Sequence, residues 1–403
     1  MLKFKITDFL TLVLIQLFNT AYIGNMIEYE IVFKIGSSRR LIMTIISLFL
    51  STNIFFAQVE DEKLPDIIDY LKELSYPEFS GVVLLAKGDN VLFEKAYGYS
   101  SIEYEVKNTV NTLFNTASIT KTMTAVAALQ LVDKGLLDLG TPVGEYLPDY
   151  PNHRVRDSVT AYQLLTHTSG LNNFFVDESK NIGKLDIKEV KDYLPFFASK
   201  PLLFSPGSKY AYSAGGYIVL GLLIENLSGK DYHEYMDNHV FKTAGMENTV
   251  AVPLDSIMKN KASGYTSYFG ESDNLSKNDT FLEFANPAGF YYSTTKDILR
   301  FFEALKDYRL ISEKLTNKMM SPLVKGYYTN YGFGISVDER WEQTIVGHTG
   351  GWYGVQCELM YFEKDEITAI ILSNVDTAEG KGMNKISNYI KYVLANKTIP
   401  NSN

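Results

Sequence analysis

The sequence predicts an α/β chain, of the α+β kind, in which strands from both chain ends build one antiparallel sheet flanked by helices. Three observations predict it. A hairpin pattern occupies residues 81–97, strand patterns return after residue 331, and the stretch between reads as helices joined by polar loops. The middle is therefore an inserted helical subdomain. The expected organisation is a leader over 1–57 and one domain over 58–398. Its sheet region covers about 58–115 and 285–398, and its helical region about 116–284.

The leader contains two apolar runs. Phe9 to Phe18 follows Lys3 and Lys5, and Leu41 to Ala57 follows Arg39 and Arg40 directly. The second has the order of a signal peptide: basic residues, an apolar stretch, then a small residue before polar sequence. Cleavage is expected after Ala57, which leaves Gln58 first and the chain exported, periplasmic or secreted. The rival reading is an uncleaved N-terminal anchor, and membrane association would then run only through this segment. No cysteine follows the run, so a lipid-anchored start is excluded.

From Asp61 to Leu74 the apolar residues Leu64, Ile67, Ile68, Leu71 and Leu74 follow helical spacing. The runs Gly81 to Ala86 and Val91 to Tyr97 flank Lys87-Gly-Asp-Asn90, a hairpin signal. Residues 119–134 form a long apolar helix with Gly135 as its stop. Asn260 to Asp279 is the clearest loop. Strands are then expected at Tyr331 to Val337, Glu342 to Gly347, Glu358 to Phe362 and Ile367 to Ser373, and a last helix from about Asn384 to Ala395.

Composition narrows the function. Of 403 residues, 46% are hydrophobic and 21% charged, which is globular. With 38 Lys and Arg against 47 Asp and Glu, the formal charge is −9, which argues against a nucleic-acid partner. The one cysteine, Cys357, permits no intramolecular disulfide and no Cys-rich metal site, and reads as a small buried strand residue. No G-x-S-x-G pentapeptide is present, so an α/β-hydrolase elbow is absent. His233-Glu-Tyr-Met-Asp-Asn-His239 has a spacing of six, which puts its histidines on different helix faces, and reads as an amphipathic helix with solvated polar groups. His167 reads as part of a turn. No metal or cofactor is expected.

Three S-x-x-K matches occur: Ser118/Lys121, Ser256/Lys259 and Ser293/Lys296. Ser256 precedes a loop with no apolar helix after it. At Ser293, the pair Thr294 and Asp297 reads as a capping box. Ser118 opens the most apolar helix, where serine and lysine three apart share a face. A partly desolvated lysine there can draw the proton from the hydroxyl, and the helix N-terminus offers backbone N–H groups to an oxyanion. The same residues also fit an N-cap serine beside a solvated lysine. Tyr212 follows in Tyr212-Ser-Ala. A tyrosine near a lysine can have a lowered pKa and act as a base, although one of 28 tyrosines can equally be core. His348-Thr349-Gly350-Gly351 is third. Its glycines allow close backbone approach, with the Gly351 N–H as a second oxyanion donor, or else form a plain bulge.

In that order, Ser118-x-x-Lys121, Tyr212 and His348-Thr-Gly resemble the serine β-lactamase and penicillin-binding-protein superfamily, closest to class C β-lactamases, D-alanyl-D-alanine carboxypeptidases and related esterases. Leu164-Leu-Thr-His-Thr-Ser-Gly170, Phe241 to Met246 and Asn286-Pro-Ala-Gly289 support this, and the resemblance covers about 80–373. It implies a β-lactamase/transpeptidase-like fold and a serine hydrolase working through an acyl-enzyme on a small-molecule or peptide substrate. Ser118 would be the nucleophile, Lys121 its activator and Tyr212 the proton shuttle. His348 and Thr349 would flank the scissile bond. Ala214 stands where the family tripeptide Y-x-N has asparagine, and His348 replaces the lysine of K-T-G. Both changes occur in peptidase-like and esterase-like relatives, and esterase or D-peptidase-like activity is expected to exceed β-lactam hydrolysis. The alternatives are a β-lactamase proper and a non-catalytic cleft-bearing sensor.

Overall fold

The structure, a computed structural model, describes residues 63–173, 187–268, 275–278, 284–376 and 382–395. The leader expected over 1–57 lies outside them. Among the described residues no helix is long and apolar enough to cross a membrane.

One eight-stranded antiparallel sheet organises the chain. The hairpin β1 (Gly81–Lys87) and β2 (Asn90–Tyr97) forms one edge. The late strands are β3 (Val324–Lys325), β4 (Asn330–Tyr331), β5 (Ser336–Asp338), β6 (Ile345–Trp352), β7 (Val355–Phe362) and β8 (Ile367–Ser373). Their order is β2-β1-β8-β7-β6-β5-β4-β3. β1 pairs with β8 from Gly81↔Ser373 to Lys87↔Ile367, so sequence from both ends closes one sheet.

The period-2 pattern divides the side chains between two layers. Val83, Leu85, Met360, Phe362, Ala369 and Ile371 pack under helices α1 (Lys63–Glu73) and α5 (Met383–Leu394). Val82, Leu84, Val346, Leu359, Ile370 and Leu372 face the larger core. That core holds α2 (Ile119–Asp133), α3 (Ala214–Ser228) and α4 (Thr295–Lys306). Every residue of α2 from Ile119 to Leu131 is buried, as expected of a helix apolar on all sides. Beyond it Gly135, at φ 69°, supplies the left-handed stop.

Four local expectations are corrected. Tyr331 to Val337 is not one strand: Gly334, at φ 70°, folds it into the β4–β5 turn, and Tyr331 pairs with Ser336. The strand expected at Glu342 to Gly347 runs instead over Ile345–Trp352, because cross-strand pairing with β7 carries it through glycines of low strand propensity. Tyr265–Thr266, inside the expected loop, pairs in parallel with Val375–Asp376. His233 is only partly solvated: its Nδ1 lies 2.7 Å from the Tyr291 hydroxyl in a partly buried contact.

Candidate active site

Ser118 is the N-cap of α2 and is partly exposed; Lys121 is fully buried one turn later. Two acceptors hold the Lys121 Nζ in place. Nζ lies 3.1 Å from Ser118 Oγ and 2.5 Å from the Ala288 carbonyl. That carbonyl is delivered by the turn Asn286-Pro-Ala-Gly289, in which Asn286 Oδ1 accepts the Ala288 N–H at 2.9 Å. Asn286 and Gly289 also exchange backbone hydrogen bonds of 2.8 and 3.0 Å. Ala117, just before the serine, has φ 38°, a left-handed backbone at a non-glycine residue.

The other two S-x-x-K pairs do not form such a unit. Ser293 is buried against Thr249 at 2.7 Å while Lys296 pairs with Glu94. Thr294 does cap α4 by accepting from the Asp297 N–H, but the Asp297 carboxylate accepts from Asn248 N and Thr249, so only half of a capping box forms. The Ser256 hydroxyl bonds the Pro253 carbonyl at an exposed turn.

Tyr212 comes in from the segment before α3. It is hydrogen-bonded to Ser118, and its ring lies 4.9 Å from Lys121 Nζ. Burial raises its pKa, with the Ser118 hydrogen bond opposing it. The expected lowering is therefore not met, and Tyr212 enters the site as a neutral phenol. Ser213 caps α3, so Ala214 is its first residue and is fully buried.

β6 closes the other side. His348 shares a face with Val346 and Leu359, toward α2, and is 4% exposed. Burial and then Lys121 lower its pKa to about 3, so the ring is neutral at pH 7. Its Nδ1 lies 2.6 Å from the Thr349 carbonyl and its Nε2 2.9 Å from the Tyr331 hydroxyl. The Thr349 residue is exposed and stands opposite Glu358, on the alternate face of the sheet. At Gly350 an added Cβ would meet Cys357 Sγ at 2.4 Å and the Ser118 N at 2.8 Å. Only glycine lets β6 pass this close to the serine amide.

Ser118, Tyr212, His348, Thr349 and Gly351 line one cleft of about 500 Å³. The structure thus brings together residues separated by more than two hundred positions. Sequence reasoning missed Tyr331, His167 and the Ala288 carbonyl as parts of this site. All three lay within stretches singled out without a site role: Tyr331 in an expected strand, and the others in Leu164 to Gly170 and Asn286 to Gly289. Chemically, the arrangement can present a hydroxyl nucleophile to a carbonyl, take up its proton at a buried amine and return a proton from a phenol.

A penicillin-binding protein of Bacillus subtilis strain 168 is 30% identical over 312 residues, 74% of this chain and 68% of that protein. Teichoic acid D-alanine hydrolase of Staphylococcus aureus is 26% identical over 338 residues, 82% and 77% respectively. The crystal structure of a penicillin-binding protein from Bacillus halodurans superposes with a TM-score of 0.69 at 29% identity, covering 78% of this chain and 95% of that one. The family model described as Beta-lactamase matches residues 71–388, and the chain therefore belongs to the Beta-lactamase family of serine hydrolases.

Proposed function

We propose that this chain hydrolyses esters or D-amino-acid amides through an acyl-enzyme on Ser118, in preference to β-lactams. The observation that carries the reading is the 3.1 Å contact between Lys121 Nζ and Ser118 Oγ beneath an open cleft. Lys121, as the free amine, takes the hydroxyl proton while Oγ bonds the substrate carbonyl carbon. The oxyanion is received by the N–H groups of Ser118 and Gly351. Tyr212 gives its phenolic proton to the leaving oxygen or nitrogen and is reprotonated from Lys121. Water then enters by the reverse transfers and frees the acid. The leaning toward esters rests on Ala214, which offers no side-chain amide to a substrate amide. An unsatisfied partner of that kind costs ~1–3 kcal/mol, roughly tenfold to a hundredfold in rate. The similarity to a D-alanine hydrolase and, at the level of fold, to D-amino acid amidases supports the same class.

The test is kcat/KM for a short-chain nitrophenyl ester against a chromogenic cephalosporin. The ester should be the better substrate, and a higher value for the cephalosporin would refute the preference. The run from Arg39-Arg40 to Ala57 further supports export of the mature chain. N-terminal sequencing of secreted material should then begin near Gln58.

A further inference from the structure

Behind His348 runs a chain of hydrogen bonds that the reaction scheme does not use. It begins at the Ser213 backbone N–H, 3.1 Å from His167 Nδ1. It continues from His167 Nε2 to the Tyr331 hydroxyl at 3.2 Å, and from that hydroxyl to His348 Nε2 at 2.9 Å. It ends with His348 Nδ1 at the Thr349 carbonyl, 2.6 Å away. All three side chains belong to buried residues: His167 is 1% exposed, Tyr331 3% and His348 4%.

The two ends fix the outer bonds, and with both rings neutral the inner ones follow. A backbone N–H can only donate, so His167 Nδ1 is bare and its proton sits on Nε2, which donates to the Tyr331 oxygen. A carbonyl can only accept, so His348 Nδ1 carries a proton. With the ring neutral, His348 Nε2 is bare and accepts the Tyr331 O–H. Donor meets acceptor at all four contacts, and both imidazoles are uncharged.

Tyr331 has one other hydrogen-bonding neighbour in this cluster, Tyr217, whose own hydroxyl donates to the Leu165 carbonyl at 3.1 Å. Were the Tyr331 proton turned to Tyr217, His348 Nε2 would need a proton of its own and the ring would become a cation. The groups facing His348 oppose that. Lys121 comes from α2, Tyr212 from the segment before α3, and Tyr331 from β4 with His167 behind it; Cys357 stands on the same face of β7, opposite Gly350. Glu358 is on the opposite face of the sheet. Of these groups Lys121 is the one that acts on His348 by charge: whenever its amine holds the proton taken from Ser118, it opposes a second proton on the ring.

We infer that Tyr331 and His167 are positioning residues that hold His348 as the neutral Nδ1–H tautomer, so that this wall of the cleft selects substrates without a free carboxylate beside the scissile bond. The inference rests on the proposed hydrolase reading for its substrate side. Its tautomer side is independent of any activity.

The experiment is NMR of the full chain labelled with 15N-histidine, which contains five imidazoles. Long-range 1H–15N correlations report which ring nitrogen is protonated, and His348→Gln assigns the signal. Wild type should show a protonated Nδ1 and a bare, hydrogen-bonded Nε2 at His348, unchanged from about pH 5 to pH 8. A charged ring or an Nε2–H tautomer at pH 7 overturns the proposal, and that spectrum needs no variant. In Tyr331→Phe the Nε2 resonance should move toward that of an unbonded nitrogen; an unmoved resonance also overturns it. Wild type should favour a neutral ester over its carboxylate-bearing analogue by about tenfold or more in kcat/KM, and Tyr331→Phe should narrow that ratio several-fold. An unchanged ratio removes the specificity role. Failure to turn over either ester defeats the hydrolase reading instead and leaves the tautomer result to stand or fall on the spectra.

Discussion

Lys121 Nζ lies 3.1 Å from Ser118 Oγ with the lysine side chain wholly removed from solvent. Both ends of this contact are set by α2, since residues three apart share a face. A fluorophosphonate should therefore add once to the protein, at Ser118, as read by intact mass. Ser118→Ala should abolish the adduct. Lys121→Met should keep the fold and slow acylation by about 10²–10⁴-fold, the usual worth of general-base assistance. An adduct on Ser256 or Ser293 would defeat the assignment.

The Asn286 turn should matter to catalysis through Lys121 rather than only to folding. Asn286 Oδ1 holds the Ala288 N–H, and Nδ2 donates to the Tyr193 hydroxyl at 2.9 Å. Asn286→Ala removes both buried bonds and should cost about 1–3 kcal/mol of stability. Because the Ala288 carbonyl is the second acceptor of Lys121, the labelling rate of Ser118 should fall as well, by about tenfold. Urea unfolding and labelling kinetics on the same variant separate the two effects. Lower stability with an unchanged labelling rate would reduce the turn to a structural role.

Much of this site was legible in the sequence, and the reasons are physical. Ser118 and Lys121 stand out because local spacing along one helix decides their proximity. The β1–β2 hairpin and β8 are equally local patterns. The Ala288 carbonyl, Tyr331 and His167 escaped because backbone acceptors carry no sequence signature, and because their contacts span more than 150 residues. The same holds for the Tyr265–Thr266 strand, which exists only through its partner at Val375–Asp376. Tyr212 shows the opposite limit. Its place beside the serine was foreseen, yet its protonation was not, because burial by distant segments outweighs the hydrogen bond that would lower its pKa.

The two buried histidines should leave a signature in acid stability. His348 is lowered from 6.5 to about 3 by burial and by Lys121, and His167 is lowered well below 6.5 by the same two causes. Below pH 6.5 the unfolded rings bind protons that the folded rings refuse. The stability from keeping them neutral is therefore fully present above about pH 6.5. It is lost as pH falls, for His348 down to about pH 3. Within that window His348 contributes a slope of about 1.4 kcal/mol per pH unit. Urea unfolding between about pH 7.5 and pH 4.5 should show wild type losing stability faster than His348→Gln. Carboxylates titrate in both proteins, so the difference in slope isolates the histidine. Parallel slopes for the two proteins would mean that His348 accepts its proton in the folded state, and that the ring beside Ser118 is charged in mild acid.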